Sequence, residues 1–558
     1  MMNSFVQYLD QFNVLSPNHA KIYDEYTNST DPYRLSIQTK IEQFLLSIFN
    51  GSPRSVIMTG NAGDGKTRLC RSVYESLTGK PLNQWPESGI VEVPFSQGTL
   101  IIVKDLSELT ETVIYDRLIH LQKQVEDHHA GNMYYLIAAN EGKLTKFLSQ
   151  SGSLKSLSVL VNDRFMDHKK NDGQLHLVNL QDVTSSIYAG LIMEEWNQEE
   201  NWVDCGTCGK TANCVIYLNH RRMSQESIRE KLVEQYRLLD CLGIHVTMRE
   251  ILIHISYTLT GGLTCEQVVH ADYKAIEEHA KRAYYNNFYG TEMPDGSSIE
   301  QGAVQYFRKL DPGQLSVSSI DDYLLNGDIS GEKQIVDKHA DLFGEEIDLL
   351  FGYYRKQIEM YRSQDRNRDS SKIVELMPGF RRKYFFESDE GERGTRQKLV
   401  PYMHFFTFID SLNDLSKRSS IRKAFIHGLN HAFSKKLIDR SETQLFAVNE
   451  NLLIHEAFST SQVVLKVDEL RSDIDYKPSK LYITVNHGPS LEVKLPVFEY
   501  LLRLADGGLY VTLKQEVDIL LSTFRNDLIN RSALDDFLLQ VFAMDIGKGV
   551  YKRYEINI

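Results

Sequence analysis

Short apolar runs bounded by turn residues recur along the first 180 residues and alternate with longer stretches of helical periodicity. Runs of this length that are rich in Val, Ile and Leu are typical of strands buried on both faces of a sheet. The alternation of strands with helices favours an α/β core whose parallel sheet is covered by helices on both faces. The five predicted strands are Ser55–Thr59, Ile90–Phe95, Leu100–Asp105, Tyr134–Ala139 and Leu175–Leu180.

The first predicted strand runs directly into a glycine-rich turn and then into a predicted helix. The turn from Gly60 to Thr67 reads Gly-Asn-Ala-Gly-Asp-Gly-Lys-Thr and fits the P-loop pattern G-x-x-x-x-G-K-[ST]. Such glycines let main-chain N–H groups surround a phosphate, while the lysine contacts the β- and γ-phosphates and the threonine hydroxyl binds Mg²⁺. The start of the helix adds its positive dipole end. The predicted ATP site comprises Gly60, Asn61, Ala62, Gly63, Asp64, Gly65, Lys66, Thr67 and Arg68.

Polar residues also follow the next buried strands. Asp105 ends the third predicted strand, where a carboxylate is expected to hold Mg²⁺ together with Thr67. Glu108 is a candidate base for the attacking water, or otherwise a solvated acid at a helix start. Asn140 follows the fourth strand and, since ligands lie beyond the carboxyl ends of parallel strands, it could position that water. A simple turn asparagine is the alternative, and Glu141 is a second candidate base.

A capping box marks the start of a helix much later in the chain. Thr247-Met-Arg-Glu250 has a threonine at the cap and a glutamate three residues on, and it precedes an apolar helical run that ends at Gly261. Arg249 therefore lies in the first turn of this helix and could project toward the nucleotide from a helical lid. An ordinary exposed arginine at a helix start is the alternative.

These patterns divide the chain into a P-loop NTPase core followed by helical and mixed regions. Strand-like alternation separated by turns returns from about residue 444. We predict an N-terminal helical segment at 1–50, the ATPase core at 51–198 and a helical lid with clustered cysteines at 199–290. A helical domain with a basic region at 291–443 and a mixed α+β domain at 444–558 complete the prediction.

Three cysteines lie within ten residues between the core and the capped helix. They open with C-x-x-C, and zinc requires four tetrahedral sulfur or nitrogen ligands. A structural zinc ion, thiols in a loop and a redox pair are all compatible with this pattern. His220, Cys241 or Cys265 could supply the fourth ligand, and spacing does not choose among them. The working set of zinc ligands is Cys205, Cys208, Cys214 and Cys265.

Composition places the chain among ordinary globular proteins. Its 558 residues are 42% hydrophobic and 25% charged, with a net charge of −13, which excludes a uniformly basic nucleic-acid sleeve. No apolar run approaches the ~18 residues that a membrane span needs, so no membrane contact is expected. Without a secretion signal, and with few cysteines, the expected compartment is the cytoplasm.

One region departs from the acidic average. Between Lys372 and Arg440, Lys and Arg exceed Asp and Glu by six, and aromatic residues interleave with them at 380–386 and 402–408. A basic face with aromatic side chains suits a nucleic-acid backbone and stacked bases, which makes duplex DNA a candidate partner. A solvated helix surface over an aromatic core is the competing interpretation.

The combined motifs resemble a specific group of proteins. The 60–67 turn, Asn140-Glu141 after an apolar strand, the cysteine cluster and the 247–265 segment are similar to AAA+/STAND-type ATPases of bacterial defence islands, most nearly the DptF-like subunit of phosphorothioation-dependent restriction. This resemblance implies an ATPase that works with other restriction subunits, and possible assembly into a homo-oligomer. It also implies a trans-acting arginine finger near Arg164, although a surface arginine paired with Asp163 would give the same sequence.

The sequence as a whole favours Mg²⁺-dependent ATP hydrolysis. The expected working residues are Lys66, Asp105, Asn140 and either Arg249 or Arg164. An acid directly after the Mg²⁺-binding aspartate is commoner than the leucine found here, Leu106, which leaves binding better supported than hydrolysis. A signalling switch driven by ATP/ADP exchange and a nucleotide-binding scaffold without turnover are the alternatives.

Overall fold

A computed structural model gives the architecture of the chain as two compact units. The first unit comprises residues 1–237, 245–390 and 471–476, and the second comprises residues 238–244, 391–470 and 477–558. The finer division into five segments stays a prediction. The structure describes residues 2–14, 16–17, 19, 33, 35, 37–127, 132–171, 173–293, 302–343, 358–363, 371–389, 393–508, 515–532 and 538–557.

The first unit contains a five-stranded mixed sheet flanked by helices. Its strands are β1 (Ser55–Thr59), β2 (Ile90–Phe95), β3 (Gly98–Val103), β4 (Met133–Ala139) and β5 (Leu175–Asn179). The spatial order is β2-β3-β4-β1-β5. The pairs β3–β4, β4–β1 and β1–β5 are parallel, so the carboxyl ends of these four strands lie at one edge.

The prediction of an all-parallel sheet is wrong for β2. This strand pairs antiparallel with β3, with Phe95 opposite Gly98. Only Ser96 and Gln97 separate the two strands, whereas a parallel crossover needs about a dozen residues or more. The connection is therefore a hairpin, and β2 is an edge strand added to a parallel core.

Helices cover the sheet, and further helices follow it among the described residues up to 387. Apolar residues of α4, α5 and α6 form one buried cluster with inward-facing residues of the strands. The helices, in chain order, are α1 (Ser4–Leu9), α2 (Lys40–Asn50), α3 (Lys66–Thr78), α4 (Glu111–Glu126), α5 (Glu141–Gln150), α6 (Lys155–Met166), α7 (Ser185–Trp196), α8 (Val203–Gly206), α9 (Val215–Met223), α10 (Glu226–Leu242), α11 (Met248–Thr260), α12 (Cys265–Val269), α13 (Tyr273–Ala280), α14 (Tyr284–Asn287), α15 (Gly302–Arg308), α16 (Ser318–Asn326), α17 (Lys333–Leu342) and α18 (Ser371–Glu387). Among the described residues, no helix is both long and apolar enough to cross a membrane.

A short segment from late in the chain, residues 471–476, belongs to the first unit. The Arg471 guanidinium pairs with the carboxylates of Asp182 and Asp473, each at 2.7 Å. Burial alone would raise the pKa of Asp473, but hydrogen bonds from His176 and Arg471 hold it well below its usual range. These contacts fasten the segment to β5 and to the helical turn that follows it.

The same segment also completes the start of α2. The Asp475 Oδ2 atom accepts a hydrogen bond from the Lys40 main-chain N–H at 2.9 Å, and the Asp475 carbonyl accepts one from Thr184 N–H at 2.9 Å. A carboxylate at the first turn of a helix satisfies an otherwise unpaired N–H and interacts favourably with the helix dipole. Residues 471–476 are thus an integral part of the first unit.

The second unit combines two antiparallel sheets with helices. One sheet has the order β10-β9-β8 and the other β12-β11-β7-β6. The elements, in chain order, are α19 (Arg393–Arg396), α20 (Phe405–Asn413), α21 (Arg418–Ser434), β6 (Leu445–Val448), β7 (Leu453–Phe458), β8 (Val463–Val467), β9 (Leu481–Val485), β10 (Ser490–Val493), α22 (Leu495–Ala505), α23 (Gln515–Asn530), β11 (Leu538–Asp545) and β12 (Val550–Asn557).

Most aromatic residues of the basic region are core residues. Phe380, Phe386, Phe405 and Phe408 are each 0% exposed, so they cannot stack on bases. Consecutive cations of α18 are bound to carboxylates within the first unit: Arg381 to Asp321, Arg382 to Asp311 and Lys383 to Glu387. This arrangement corresponds to the competing interpretation, in which basic helices lie over an aromatic core.

Candidate functional site

The glycine-rich turn, hereafter the glycine loop (residues 60–65), joins the buried end of β1 to the first residue of α3. Gly63 and Gly65 have φ angles of 97° and 84°, in the left-handed region that favours glycine. Nothing lies within 4 Å of a methyl group placed on Gly65, so this side of the loop has room for a ligand. The Leu69 N–H donates to the Gly65 carbonyl at 3.0 Å, which starts α3 directly after the loop.

Lys66 is 9% exposed and folds back over the loop. Its ammonium group donates to the carbonyls of Gly60 at 2.9 Å and Asn61 at 2.7 Å. Burial lowers the pKa of Lys66, although the carboxylates of Asp64 and Asp105 act in the opposite direction. The amine is therefore already removed from bulk water and lies within electrostatic range of Asp105.

Asp64 organises the loop from inside. Its Oδ2 atom accepts the Asn61 N–H at 2.6 Å, and its Oδ1 atom lies 2.8 Å from His245 Nε2. A methyl group on Gly60 would come within 2.7 Å of the Asp64 carboxylate, so an alanine there would force this carboxylate to shift. The variable position Asp64 of the motif thus ties the glycine loop to the segment before α11.

The start of α11 packs against the same loop. Thr247 and Glu250 form both hydrogen bonds of a capping box. The Arg249 N–H donates to the Gly63 carbonyl at 3.1 Å, and Arg249 contributes to the lowered pKa of Lys66. The structure therefore brings the predicted Arg249 to the glycine loop.

Replacing Gly63 with alanine is expected to destabilise the first unit more than Gly79→Ala does. Both glycines have positive φ, which costs an alanine about 1–2 kcal/mol, but a methyl group on Gly63 would lie 3.1 Å from Arg249 Cβ. The methyl group on Gly79 would meet nothing within 4 Å. We expect an additional loss of about 1 kcal/mol or more for Gly63→Ala, measured by denaturant unfolding. Equal losses for the two variants would contradict the close packing of α11 on the loop.

Asp105 lies two residues after β3 and begins a short helical turn. Its Oδ1 atom accepts the Ser107 N–H at 2.7 Å. Leu106 occupies the position after Asp105 at which an acid is commoner. Its side chain is fully buried in the core beneath the sheet. Glu108 pairs with Lys104 at 2.8 Å, so its carboxylate would have to leave a cation before it could polarise water.

Asn140 follows β4, the strand between β3 and β1. Its side chain is exposed and accepts the Lys143 N–H at 3.4 Å, as the cap of α5, and Glu141 is the first residue of that helix. The Lys143 ammonium donates to the Ser107 carbonyl at 2.6 Å, which ties α5 to the turn after β3. The strand order therefore places Asn140 between the glycine loop and Asp105 along the carboxyl edge.

The remaining residues of the predicted ATP site lie on the glycine loop and in the first turn of α3. Thr67 is partly exposed, and the Arg68 guanidinium donates to the Leu35 carbonyl at 3.2 Å. Ala62 and Asn61 are exposed on the loop. Arg68 is therefore a contact to the N-terminal region in this structure, while Thr67 stays a candidate Mg²⁺ ligand.

Arg164 lies in a different environment from the one expected of an arginine finger. It is 4% exposed and donates from Nε to the Leu175 carbonyl at 3.0 Å and from Nη1 to the Leu160 carbonyl at 2.9 Å. Asp163 pairs with Lys170 instead. A buried guanidinium bound to carbonyls of its own chain joins α6 to β5 and does not suit contact with a neighbouring subunit.

Two residues that the sequence did not single out also contact the loop. Gln181, just after β5, donates to the Asn61 side chain at 3.0 Å, and His245 contacts Asp64. Gln181 follows a strand end at the same sheet edge, and His245 immediately precedes the capping box. Their positions next to a strand end and a capping box are the features of the sequence that could have indicated Gln181 and His245.

The four candidate zinc ligands lie in the part of the first unit that follows α7. Cys205 is in α8, Cys214 caps α9, Cys265 begins α12, and Cys208 lies between the first two. None of the six cysteines, all of which are described, forms a disulfide. Within the described part of the chain, no group of three or more Cys, His, Asp or Glu side chains is already arranged to hold a metal ion.

Comparisons with protein-family models, with curated proteins and with solved structures gave no match to this chain. The residues around the glycine loop therefore provide the chemical basis for inferring a function.

Proposed function

We propose that the first unit binds ATP with Mg²⁺ at the glycine loop and hydrolyses it. The principal support is the proximity of three groups to that loop: buried Lys66, the Asp105 carboxylate that follows β3, and the start of α11 with Arg249. Lys66 and Arg249 would supply positive charge to the polyphosphate, and Asp105 would supply negative charge to its Mg²⁺.

The triphosphate would be held mainly by groups that are already in place. Positive φ at Gly63 and Gly65 lets the loop turn its N–H groups inward, and the first turn of α3 adds the positive end of its dipole. Lys66 would exchange the carbonyls of Gly60 and Asn61 for phosphate oxygens. Since its ammonium is already desolvated, this exchange avoids much of the usual cost of burying a charge.

Mg²⁺ would be held by the Thr67 hydroxyl and, through water, by Asp105, and it would neutralise charge on the phosphates. The fit is chemically suitable, because both candidate ligands offer the oxygen atoms that Mg²⁺ prefers. Arg249 would add a second cation on the α11 side. Asn140, exposed between the two strand ends, would orient water for attack, with Glu141 or Glu108 as the candidate base.

The direct experiment is steady-state phosphate release from Mg²⁺-ATP, with and without duplex DNA. We expect turnover that requires Mg²⁺. Light scattering after size exclusion, in ATP and in ADP, would show whether the state of assembly follows the nucleotide. No calorimetric binding of ATP or GTP, and no nucleotide released on denaturation, would contradict the proposal.

A signalling switch is the second candidate, because the glycine loop bonds directly to the segment around α11. A change in the conformation of the loop on nucleotide exchange would alter the Asp64–His245 and Gly63–Arg249 hydrogen bonds. Slow turnover with tightly bound ADP would favour this switch. Binding without any turnover would favour a scaffold.

The proposed setting is a bacterial defence complex acting on DNA. It is supported by the resemblance to DptF-like restriction subunits alone. Duplex DNA that stimulates turnover would support this setting, and turnover indifferent to DNA would favour the switch.

A further inference from the structure

The two residues before the capping box of α11 are attached to other parts of the first unit by hydrogen bonds. His245 contacts Asp64 of the glycine loop, and Val246 contacts Ser185 at the start of α7. We propose that Asp64 and Ser185 are positioning residues that hold Arg249 beside the glycine loop for the phosphate-transfer step. This inference rests on the proposed function, in which Arg249 supplies a second cation to the triphosphate.

Ser185 fixes the main chain of Val246 through both of its polar groups. The Ser185 hydroxyl accepts the Val246 N–H at 3.0 Å and donates to the Val246 carbonyl at 3.1 Å. Both residues are 1% exposed, so water has little access to these groups. Without the hydroxyl, two buried main-chain groups would lose these partners, and the segment would have to shift to satisfy them.

Asp64 connects the same segment to the glycine loop itself. One carboxylate oxygen accepts the Asn61 N–H at 2.6 Å, and the other lies 2.8 Å from His245 Nε2. The side chain of Asp64 is 2% exposed and that of His245 is 17% exposed, so the contact is largely shielded from solvent. Because polar contacts are stronger where water is excluded, the carboxylate couples the conformation of the loop to the position of His245.

The position of Arg249 follows from these two attachments. Thr247 is the cap of α11, so Arg249 is the second residue of the helix, where an N–H has no carbonyl partner within its own helix. This N–H donates to the Gly63 carbonyl at 3.1 Å. After the larger effect of burial, the Arg249 charge also lowers the pKa of Lys66. The Arg249 guanidinium therefore lies within electrostatic range of the lysine that would contact the phosphates.

The exact placement of a charged group matters greatly for catalysis. A displacement of about 1 Å can reduce a rate about 10²-fold. Under the proposed function, Arg249 would stabilise charge that develops in the transition state, so its displacement should lower kcat much more than it raises KM. A residue that only stabilises the fold would not produce this difference between kcat and KM.

The test is steady-state ATP hydrolysis by full-length Ser185→Ala and His245→Phe, each alone and each combined with Arg249→Ala. His245→Phe keeps a ring at this position but removes the contact with Asp64, and it leaves the residues of the glycine loop unchanged. We expect kcat to fall about 10-fold in each single variant and about 10²-fold in Arg249→Ala, with KM changed less than about 2-fold. If both contacts act through Arg249, neither change should lower the kcat of Arg249→Ala any further.

Ser256→Ala is the matched control for Ser185→Ala. Ser256 lies in α11, is also 1% exposed, and its hydroxyl donates to the Leu9 carbonyl at 2.9 Å. Both serine variants should have lower unfolding temperatures, but Ser256→Ala should keep the wild-type kcat. Equal losses of kcat in the two variants would overturn the inference, because general destabilisation would then be the cause. Losses that multiply with that of Arg249→Ala would also overturn it.

Hydrogen exchange in the nucleotide-free protein provides a second measurement. The Arg249 N–H should exchange faster in Ser185→Ala and His245→Phe than in the wild type or Ser256→Ala, and unchanged exchange in both would overturn the inference. Should Ser185→Ala fail to fold, His245→Phe carries the same test. Wild-type turnover with unchanged kcat in both variants would overturn this inference alone. A wild-type chain that does not bind ATP would contradict the proposed function and, with it, a role in phosphate transfer.

Discussion

Lys66→Ala should weaken ATP binding about 10- to 100-fold and reduce turnover about 10²- to 10³-fold. The binding estimate follows from the 1.5–3 kcal/mol that a hydrogen bond to a charged group contributes. The larger effect on turnover reflects the loss of a positioned cation where charge develops in the transition state. Titration calorimetry with ATP and steady-state phosphate release measure the two effects.

The matched control for this variant is Lys80→Ala. Lys80 is an exposed lysine just beyond the end of α3, so its loss should change neither affinity nor rate. Lys66→Ala also leaves the Gly60 and Asn61 carbonyls without the ammonium, so circular dichroism must show that the variant is folded. A folded Lys66→Ala protein with wild-type affinity would exclude the glycine loop as the phosphate site.

Asp105→Asn should abolish most Mg²⁺-dependent turnover while leaving the fold intact. Asparagine is as good as aspartate at a helix cap, so the hydrogen bond from Ser107 N–H can be kept. The variant loses the negative charge that, under the proposed function, would hold Mg²⁺, and we expect a fall in rate of about 10²-fold. Turnover measured across a Mg²⁺ titration, beside ATP binding without Mg²⁺, separates the metal effect from nucleotide affinity.

Asp163→Asn provides the control for Asp105→Asn. Asp163 is a half-exposed acid on α6 that pairs with Lys170, and such pairs contribute about 0–1 kcal/mol. Asp163→Asn removes one negative charge from the same unit and leaves the end of β3 unchanged. Wild-type turnover in Asp105→Asn at every Mg²⁺ concentration would remove Asp105 from the site.

Features of the fold that depend on a few consecutive residues could be predicted from the sequence. The glycine loop between β1 and α3 and the capping box of α11 are set by patterns a few residues long. The antiparallel β2 could have been foreseen from the predicted strands themselves, because the residues left between them, 96–99, are too few for a crossover. The alternation of strands and helices along the chain does not by itself indicate the direction of β2.

Long-range contacts could not be read in the same way. Gln181 and Asn3 reach their partners, Asn61 and Cys205, across 120 and 202 positions of sequence. The burial of Arg164 is equally invisible, because a helical arginine beside an acid has the pattern of a surface pair. Such placements are fixed by tertiary packing, which a single sequence does not encode locally.

The segment at 471–476 has a consequence for how the protein is made. A ribosome adds about 5–20 residues per second, so these six residues follow the first 390 after a delay of several seconds. Until they emerge, the Lys40 N–H at the start of α2 lacks its acceptor, Asp475. Asp182 likewise lacks its ion pair with Arg471. Expression fragments that stop near residue 390 would lack these contacts, and a fragment designed to hold the complete first unit would have to carry 471–476 on a linker.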